Sequence, residues 1–410
     1  MELYRKLKKS RLPWYLFYGG LTIELLIVIV DKSNLINPFE GRLFQITFLL
    51  FLLKLLLTDY SRKEWHGIVG LTLLAFLSYW VTGANELIRI VIFVAACKNI
   101  PLRQMMRYAF YVTLAGCALI VMLSVTGIYG EISLTQAYGR ESAETTTYIG
   151  VEPAEETRYT LGMGHPNALS CMFLMLLVML VYIDFEKMKW YLYLFLMMLN
   201  VGVYRLSGSK TSMLITTAFL AGAFVMTYCK ALRKHFTPYL CGLLVFVICI
   251  GFSVDAAVCA QRVRDEQWNS FYYGKQMDTE HIAVLAKIDR KISGRIISLT
   301  DTEANDGMIQ TWSLLSGPEN MEHYFDMGWV KVFYRYGILP GIVYVLAHLA
   351  LWRQISRRRD ACGLVVFTVL AVYTVVEAHL VSFYIGRNFL LMMMGSYFLP
   401  GTTDSPQDPG

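Results

Sequence analysis

The sequence predicts an all-α polytopic membrane protein of about twelve transmembrane helices with two long extracytoplasmic loops that carry short amphipathic helices. Three observations predict it. Hydrophobic residues make up 56% of the 410, charged residues only 17%, and the mean hydropathy is +0.45. A soluble globular chain carries about 25% charged residues. The apolar residues also come in runs of membrane-crossing length, for which about 20 residues suffice.

Taken in order, the runs fall at 13–31, 43–58, 66–83, 85–98, 108–127, 166–183, 189–205, 211–228, 238–255, 328–351, 363–381 and 384–400. Ahead of the first stand Arg5, Lys6, Lys8, Lys9 and Arg11. A signal peptide has this order, but no small-residue cleavage site follows, so the segment reads as a retained signal anchor. With the N-terminus inside, the cytoplasmic connections collect twenty of the thirty-seven basic residues. That is the bias that insertion rewards, and it predicts both termini in the cytoplasm. The net charge of +6 therefore follows topology, and no nucleic-acid partner is implied. The eight cysteines show no paired metal-ligand spacing and lie almost entirely in apolar runs, so they read as small core residues and no metal is expected.

The whole chain, 1–410, reads as one transmembrane domain. Two outer connections, 128–165 and 256–327, are too long to be simple turns. The first is acidic and rich in Ser, Thr and Gly, and reads as a solvated loop as far as Glu155. In the second, Ile282, Leu285, Ala286, Ile288, Ile292 and Ile296 recur near helical spacing, which predicts amphipathic helix lying on the outer surface.

The chemistry-bearing stretch is Glu156–Asn167, where Arg158 and His165 precede an apolar run. Pro166 suits the first position of a helix, because it has no amide hydrogen to lose and its φ is preset. A helix N-terminus beside Arg158 and His165 makes an anion site. In Tyr204–Ser212 the residues Gly208-Ser209-Lys210-Thr211 lack the glycine spacing of a nucleotide P-loop. They read instead as a hairpin in which Gly208 turns, Ser209 caps, and Arg205 and Lys210 either offer cations or anchor helix ends. Lys291–Arg295 supplies Gly294 and Arg295 on the second loop, for function or for lipid headgroups. Glu322–Trp329 supplies His323 and Asp326, as acid, base or caps. Charges inside spans are costly and therefore informative. Arg89 lies one turn from Glu86, and Glu377, His379 and Arg387 gather at the outer ends of the last two spans.

Taken in order, Arg158 with Leu161-Gly162-Met163-Gly164-His165-Pro166-Asn167, then Ser207-Gly208-Ser209-Lys210-Thr211, then Ser293-Gly294-Arg295, then Asp326 with Tyr336-Gly337 form a pattern. The chain resembles the Wzy-type polysaccharide polymerases of the O-antigen polymerase and ligase superfamily over roughly residues 85–395, especially the short forms of Gram-positive capsule and exopolysaccharide clusters. The resemblance implies a metal-independent, cofactor-free glycosyltransferase of the bacterial cytoplasmic membrane. It would join undecaprenyl-diphosphate-linked oligosaccharides on the outer face, working beside the flippase and the chain-length regulator of the same pathway. It further implies that Arg158 and Arg295 bind the diphosphate with Arg205 and Lys210 in support, and that His165, then Asp326 and His323, orient or deprotonate the acceptor hydroxyl. Pro166, Asn167, Gly294 and Glu377 would support the site. Two positions depart from the family pattern. Lys210 stands where arginine is common, and Met327 where asparagine commonly follows the aspartate. A ligase that moves finished glycan to another acceptor shares these motifs. A flippase predicts repeated halves, and the sequence shows no repeat.

Overall fold

The computed structural model describes residues 6–8, 10–137, 155–273, 279–300, 307–317 and 325–400. Its helices in chain order are α1 (Leu12–Asp31), α2 (Glu40–Leu56), α3 (Arg62–Thr82), α4 (Glu86–Ala96) and α5 (Leu102–Val125). After the strands β1 (Ser133–Ala137) and β2 (Glu155–Tyr159) come α6 (Pro166–Asp184), α7 (Trp190–Ser207), α8 (Lys210–Tyr228), a single helical turn at Lys230–Lys234, α9 (Thr237–Tyr273) and α10 (Glu280–Lys291). The chain closes with α11 (Gly328–Tyr336), α12 (Ile338–Arg357), α13 (Ala361–Val376) and α14 (Phe389–Phe398). Among the described residues seven helices are long and apolar enough to cross a membrane: α1, α3, α5, α6, α8, α9 and α12. The protein is thus an all-α membrane protein by the length and composition of its helices.

Local chemistry sets several helix ends. At the start of α3, Ser61 accepts the N–H of Glu64 while the Glu64 carboxylate accepts the N–H of Ser61, a reciprocal cap. The predicted run 328–351 is broken at Gly337, whose φ is +90°. The chain there lies against another backbone, with Ile338 donating to Ser313 and Leu339 to Leu314. A Cβ on Gly337 would come within 2.7 Å of Leu315 Cα, so only glycine fits.

Two loop boundaries shift. The run predicted to end at 255 continues as α9 to Tyr273, 37 residues in all. At 1.5 Å per residue that is about 55 Å, well beyond the ~30 Å hydrocarbon core. The second loop therefore begins as a helical arm. The amphipathic helix α10 does form, but its face of Ile282, Leu285 and Ala286 is buried against α9 instead of lying on a surface. Gln267 of α9 ties the pair by donating to the Ala286 carbonyl at 3.2 Å and to Asp289 at 2.9 Å. The first loop is also more ordered than its composition predicts, since β1 and β2 pair antiparallel with Ser133 opposite Tyr159. Residues 138–154 of that loop lie outside the described ones.

The last two predicted runs are helical only in part. Between α13 and α14 the chain makes two single 3-10 turns, Ala378–Leu380 and Ile385–Arg387, and none of residues 377–388 is exposed. Arg89 and Glu86 do not pair with each other, because each reaches another segment. Arg89 donates to Glu24 of α1 and to the Phe383 carbonyl, both at 2.9 Å, and Glu24 also accepts the Thr47 hydroxyl at 2.6 Å. Glu86 binds Arg335 of α11, with Nε to Oε2 at 3.0 Å.

The Glu24–Arg89 side chains are only 1% and 3% exposed, so losing one partner strands a buried charge. Arg89→Met should destabilise the protein by about 3–5 kcal/mol, whereas Glu24→Gln combined with Arg89→Met should recover most of that loss. Thermal unfolding of the purified variants in detergent checks both.

Candidate functional site

A cavity of about 600 Å³ opens where the end of α1, the start of α6, α11 and the irregular segment after α13 converge. Its lining contains His165, Asn167, Arg295, Asp326 and Glu377, so residues from three of the four sequence motifs meet there.

Arg295 reaches the cavity because α10 stops abruptly. Ser293 and Gly294 take φ of +61° and +73°, and the Gly294 N–H returns to the Asp289 carbonyl at 3.0 Å. This is a left-handed helix termination, and Asp289 locks it from the side by accepting the Ile296 N–H at 2.6 Å. Burial pushes the Asp289 carboxyl up, while hydrogen bonds from Ile296 and Gln267 oppose that shift. Held in this way, Arg295 forms ion pairs with Asp326 and with Glu377, the latter at 3.0 Å. Asp326 comes from the segment before α11, and Glu377 ends α13. One guanidinium therefore joins three segments that are distant in sequence.

His165 is the N-cap of α6, and Pro166 is its first residue. The Asn167 N–H donates to His165 Nδ1 at 3.1 Å, so in the neutral ring the proton resides on Nε2. Burial lowers the His165 pKa, and the positive charges of Arg158, Lys32 and Arg295 lower it further. The loop before it is stapled to the end of α1, with Gly164 donating to the Lys32 carbonyl at 3.0 Å and Asn34 to the Gly162 carbonyl at 3.2 Å. Gly162 has φ +80°, and a Cβ there would come within 2.9 Å of Ser124 Cβ. The glycines of the motif thus bring Lys32 and His165 to one wall.

The remaining predicted residues lie elsewhere. Arg158, in β2, is buried outside the lining, paired with Glu156 at 2.8 Å and packed beneath the Gly208 turn. The first two motifs therefore touch each other, but through residues that do not line the cavity. Arg205 and Lys210 are exposed and also lie outside the lining, so they do not join Arg295. Ser209 occupies the N-cap of α8 without a side-chain cap bond. His323 lies outside the described residues.

Several cations that line the cavity were missed in the motifs. Lys331 and Arg335 stand one turn apart on α11, and Lys32 and Arg387 join them. The signal was present as two basic residues inside an apolar run. With Arg295 the lining holds five cationic side chains against the carboxylates of Asp31, Asp326 and Glu377. Arg387 pairs with Asp31, and Arg335 with Glu86 behind the wall. Such a lining has the charge pattern that suits a multiply charged anion. His379 also faces it, and neither of its ring nitrogens has a hydrogen-bond partner among the described residues.

Because the folded state holds His165 below the ordinary imidazole value of 6.5, the unfolded chain takes up a proton first as pH falls. His165 therefore contributes stability above that value that is lost as pH drops from 6.5 toward the lower folded-state pKa. His165→Asn keeps a capping side chain, so the difference between wild-type and variant melting temperatures should shift with pH across this window and be flat above it.

Compared with known proteins, the chain matches no family model, no curated protein and no solved structure.

Proposed function

We propose that this protein is a membrane glycosyltransferase that polymerises undecaprenyl-diphosphate-linked oligosaccharide repeats into a surface polysaccharide. The observation that carries the reading is the cation-rich cavity in which Arg295, His165, Asp326 and Glu377 meet. Arg295, His165 and Asp326 belong to the motifs that resemble the Wzy-type polymerases, and Glu377 is the carboxylate that pairs with Arg295.

The cavity is formed at the C-terminal ends of α1 and α13 and the N-terminal end of α6. In the topology that the distribution of basic residues predicts, with twelve spans and both termini inside, those ends face outward. The short α13 and α14, of 16 and 10 residues, are joined by the buried irregular segment. Irregular backbone is tolerated within a bilayer where it is buried in protein or lines an aqueous cavity, and this segment fits that rule. A lipid diphosphate held near the membrane surface could then place its first sugar among these groups.

In the reaction, an acceptor hydroxyl oxygen attacks the anomeric carbon of the donor glycan. The bond from that carbon to the diphosphate breaks, and undecaprenyl diphosphate leaves with the bonding electrons. Arg295, Lys331 and Arg387 would stabilise the charge that develops on the leaving group, the role in which a fixed cation contributes most. Asp326 is our choice to receive the hydroxyl proton, with Glu377 holding Arg295 in register. His165, with Nδ1 occupied by its cap, would orient the substrate through Nε2–H and not act as the base.

Expression in a strain that lacks its own polymerase but makes a matched repeat unit, followed by gel analysis of lipid-linked glycan, tests the reading. Wild-type protein should give a ladder of joined repeats. Arg295→Ala should lower chain extension by roughly 100-fold or more while the protein still inserts, and Asp326→Asn should act similarly. Single repeat units with wild-type protein would overturn the proposal, and transfer of one finished glycan to a different acceptor would favour a ligase.

A further inference from the structure

We propose that Asp255, Cys259 and His281 form a divalent-metal site of the kind Zn²⁺ occupies, clipping α10 to the outer arm of α9. None of the three residues lines the cavity. Asp255 and Cys259 are four residues apart and so share one face of α9, while His281 is the second residue of α10. His281 Nε2 lies 2.9 Å from Asp255 Oδ2, Cys259 Sγ lies 3.7 Å from Asp255 Oδ1, and all three ligand atoms fall within 4.8 Å of one another. Zinc–ligand bonds of about 2.0–2.3 Å in a tetrahedron set neighbouring ligand atoms roughly 3.3–3.8 Å apart, so only small side-chain movements are needed.

The donor set narrows the metal. Sulfur, imidazole nitrogen and carboxylate oxygen together suit a borderline ion, whereas Mg²⁺ and Ca²⁺ take oxygen ligands. Cys259 is buried, Asp255 partly buried and His281 exposed, which leaves a solvent-facing fourth position and a route for the ion. Linear spacing does not reveal the site, because the third ligand comes from the neighbouring helix. The geometry also gives the ion a structural task. α10 is held to α9 near its C-terminal end by Gln267 and Asp289, and the clip would fix its N-terminal end. The turn that follows α10 delivers Arg295, so occupancy would steady the arm that positions that guanidinium.

The test uses full-length purified protein in detergent, stripped with chelator and titrated with Zn²⁺, and then with Co²⁺ as a spectroscopic probe. Wild-type protein should bind one Zn²⁺ per chain and show a thiolate-to-cobalt charge-transfer band. His281→Ala, at an exposed position, should weaken Zn²⁺ binding at least about 10-fold, and Cys259→Ser should remove the cobalt band. His66→Ala, an exposed histidine elsewhere, should change neither. Zinc should also slow amide exchange across 280–296 in wild type but not in His281→Ala. Unchanged Zn²⁺ affinity in His281→Ala, or bound Co²⁺ without the thiolate band, would overturn the proposal. None of these readouts depends on glycan transfer, so the site stands or falls apart from the polymerase reading.

Discussion

Arg295 shared between Asp326 and Glu377 is the interaction on which the arrangement around the cavity depends. A guanidinium withdrawn from bulk water is tolerated only when it is paired, and its carboxylates are tolerated for the same reason. That mutual requirement joins the end of α10, the approach to α11 and the end of α13. Everything that positions the three groups follows from backbone chemistry nearby. The left-handed pair Ser293–Gly294 aims Arg295, Asp289 locks the turn, and the helical stop at Val376 releases Glu377 from α13. At the other wall, the stapling of the Gly162–Gly164 loop to the end of α1 sets His165 and Lys32 opposite.

The same electrostatic constraint explains why the cavity suits an anion. Asp31 engages Arg387, Glu86 engages Arg335, and Arg295 takes both remaining carboxylates of the lining. Lys331 and Lys32 add further positive charge to the same space. Concentrating cations in a partly buried site carries a repulsive cost, which a bound diphosphate would relieve. The lowered pKa of His165 fits this setting, because a protonated imidazole beside Arg158, Lys32 and Arg295 would add to the repulsion.

Much of the fold was legible in the sequence. Composition and apolar runs identified a helical membrane protein, Pro166 marked the start of α6, and the spacing of Ile282, Leu285 and Ala286 marked α10. Boundaries were harder where an apolar run does not correspond to one helix. Gly337 splits one run because another backbone approaches it, and α9 outruns its apolar part because its polar continuation has α10 to pack against. The site was half legible. Arg295, Asp326 and His165 stand in recognisable motifs, Glu377 stands out as a charge at the end of a span, and the four converge. Arg205 and Lys210 carried the same kind of signal yet point outward, since a local motif fixes a turn and not what the turn faces. Lys331 and Arg335 were hidden in an apolar run whose helical face only tertiary packing defines.

We propose that this cavity holds a lipid diphosphate through its cations. Native mass spectrometry of the purified protein with undecaprenyl diphosphate and, separately, undecaprenol measures it directly, in wild type and in Arg295→Gln. Wild type should retain the diphosphate in clear preference to the alcohol, and the preference should fall at least about tenfold in the variant. Equal retention of the two lipids by wild type, or an undiminished preference in Arg295→Gln, would contradict it.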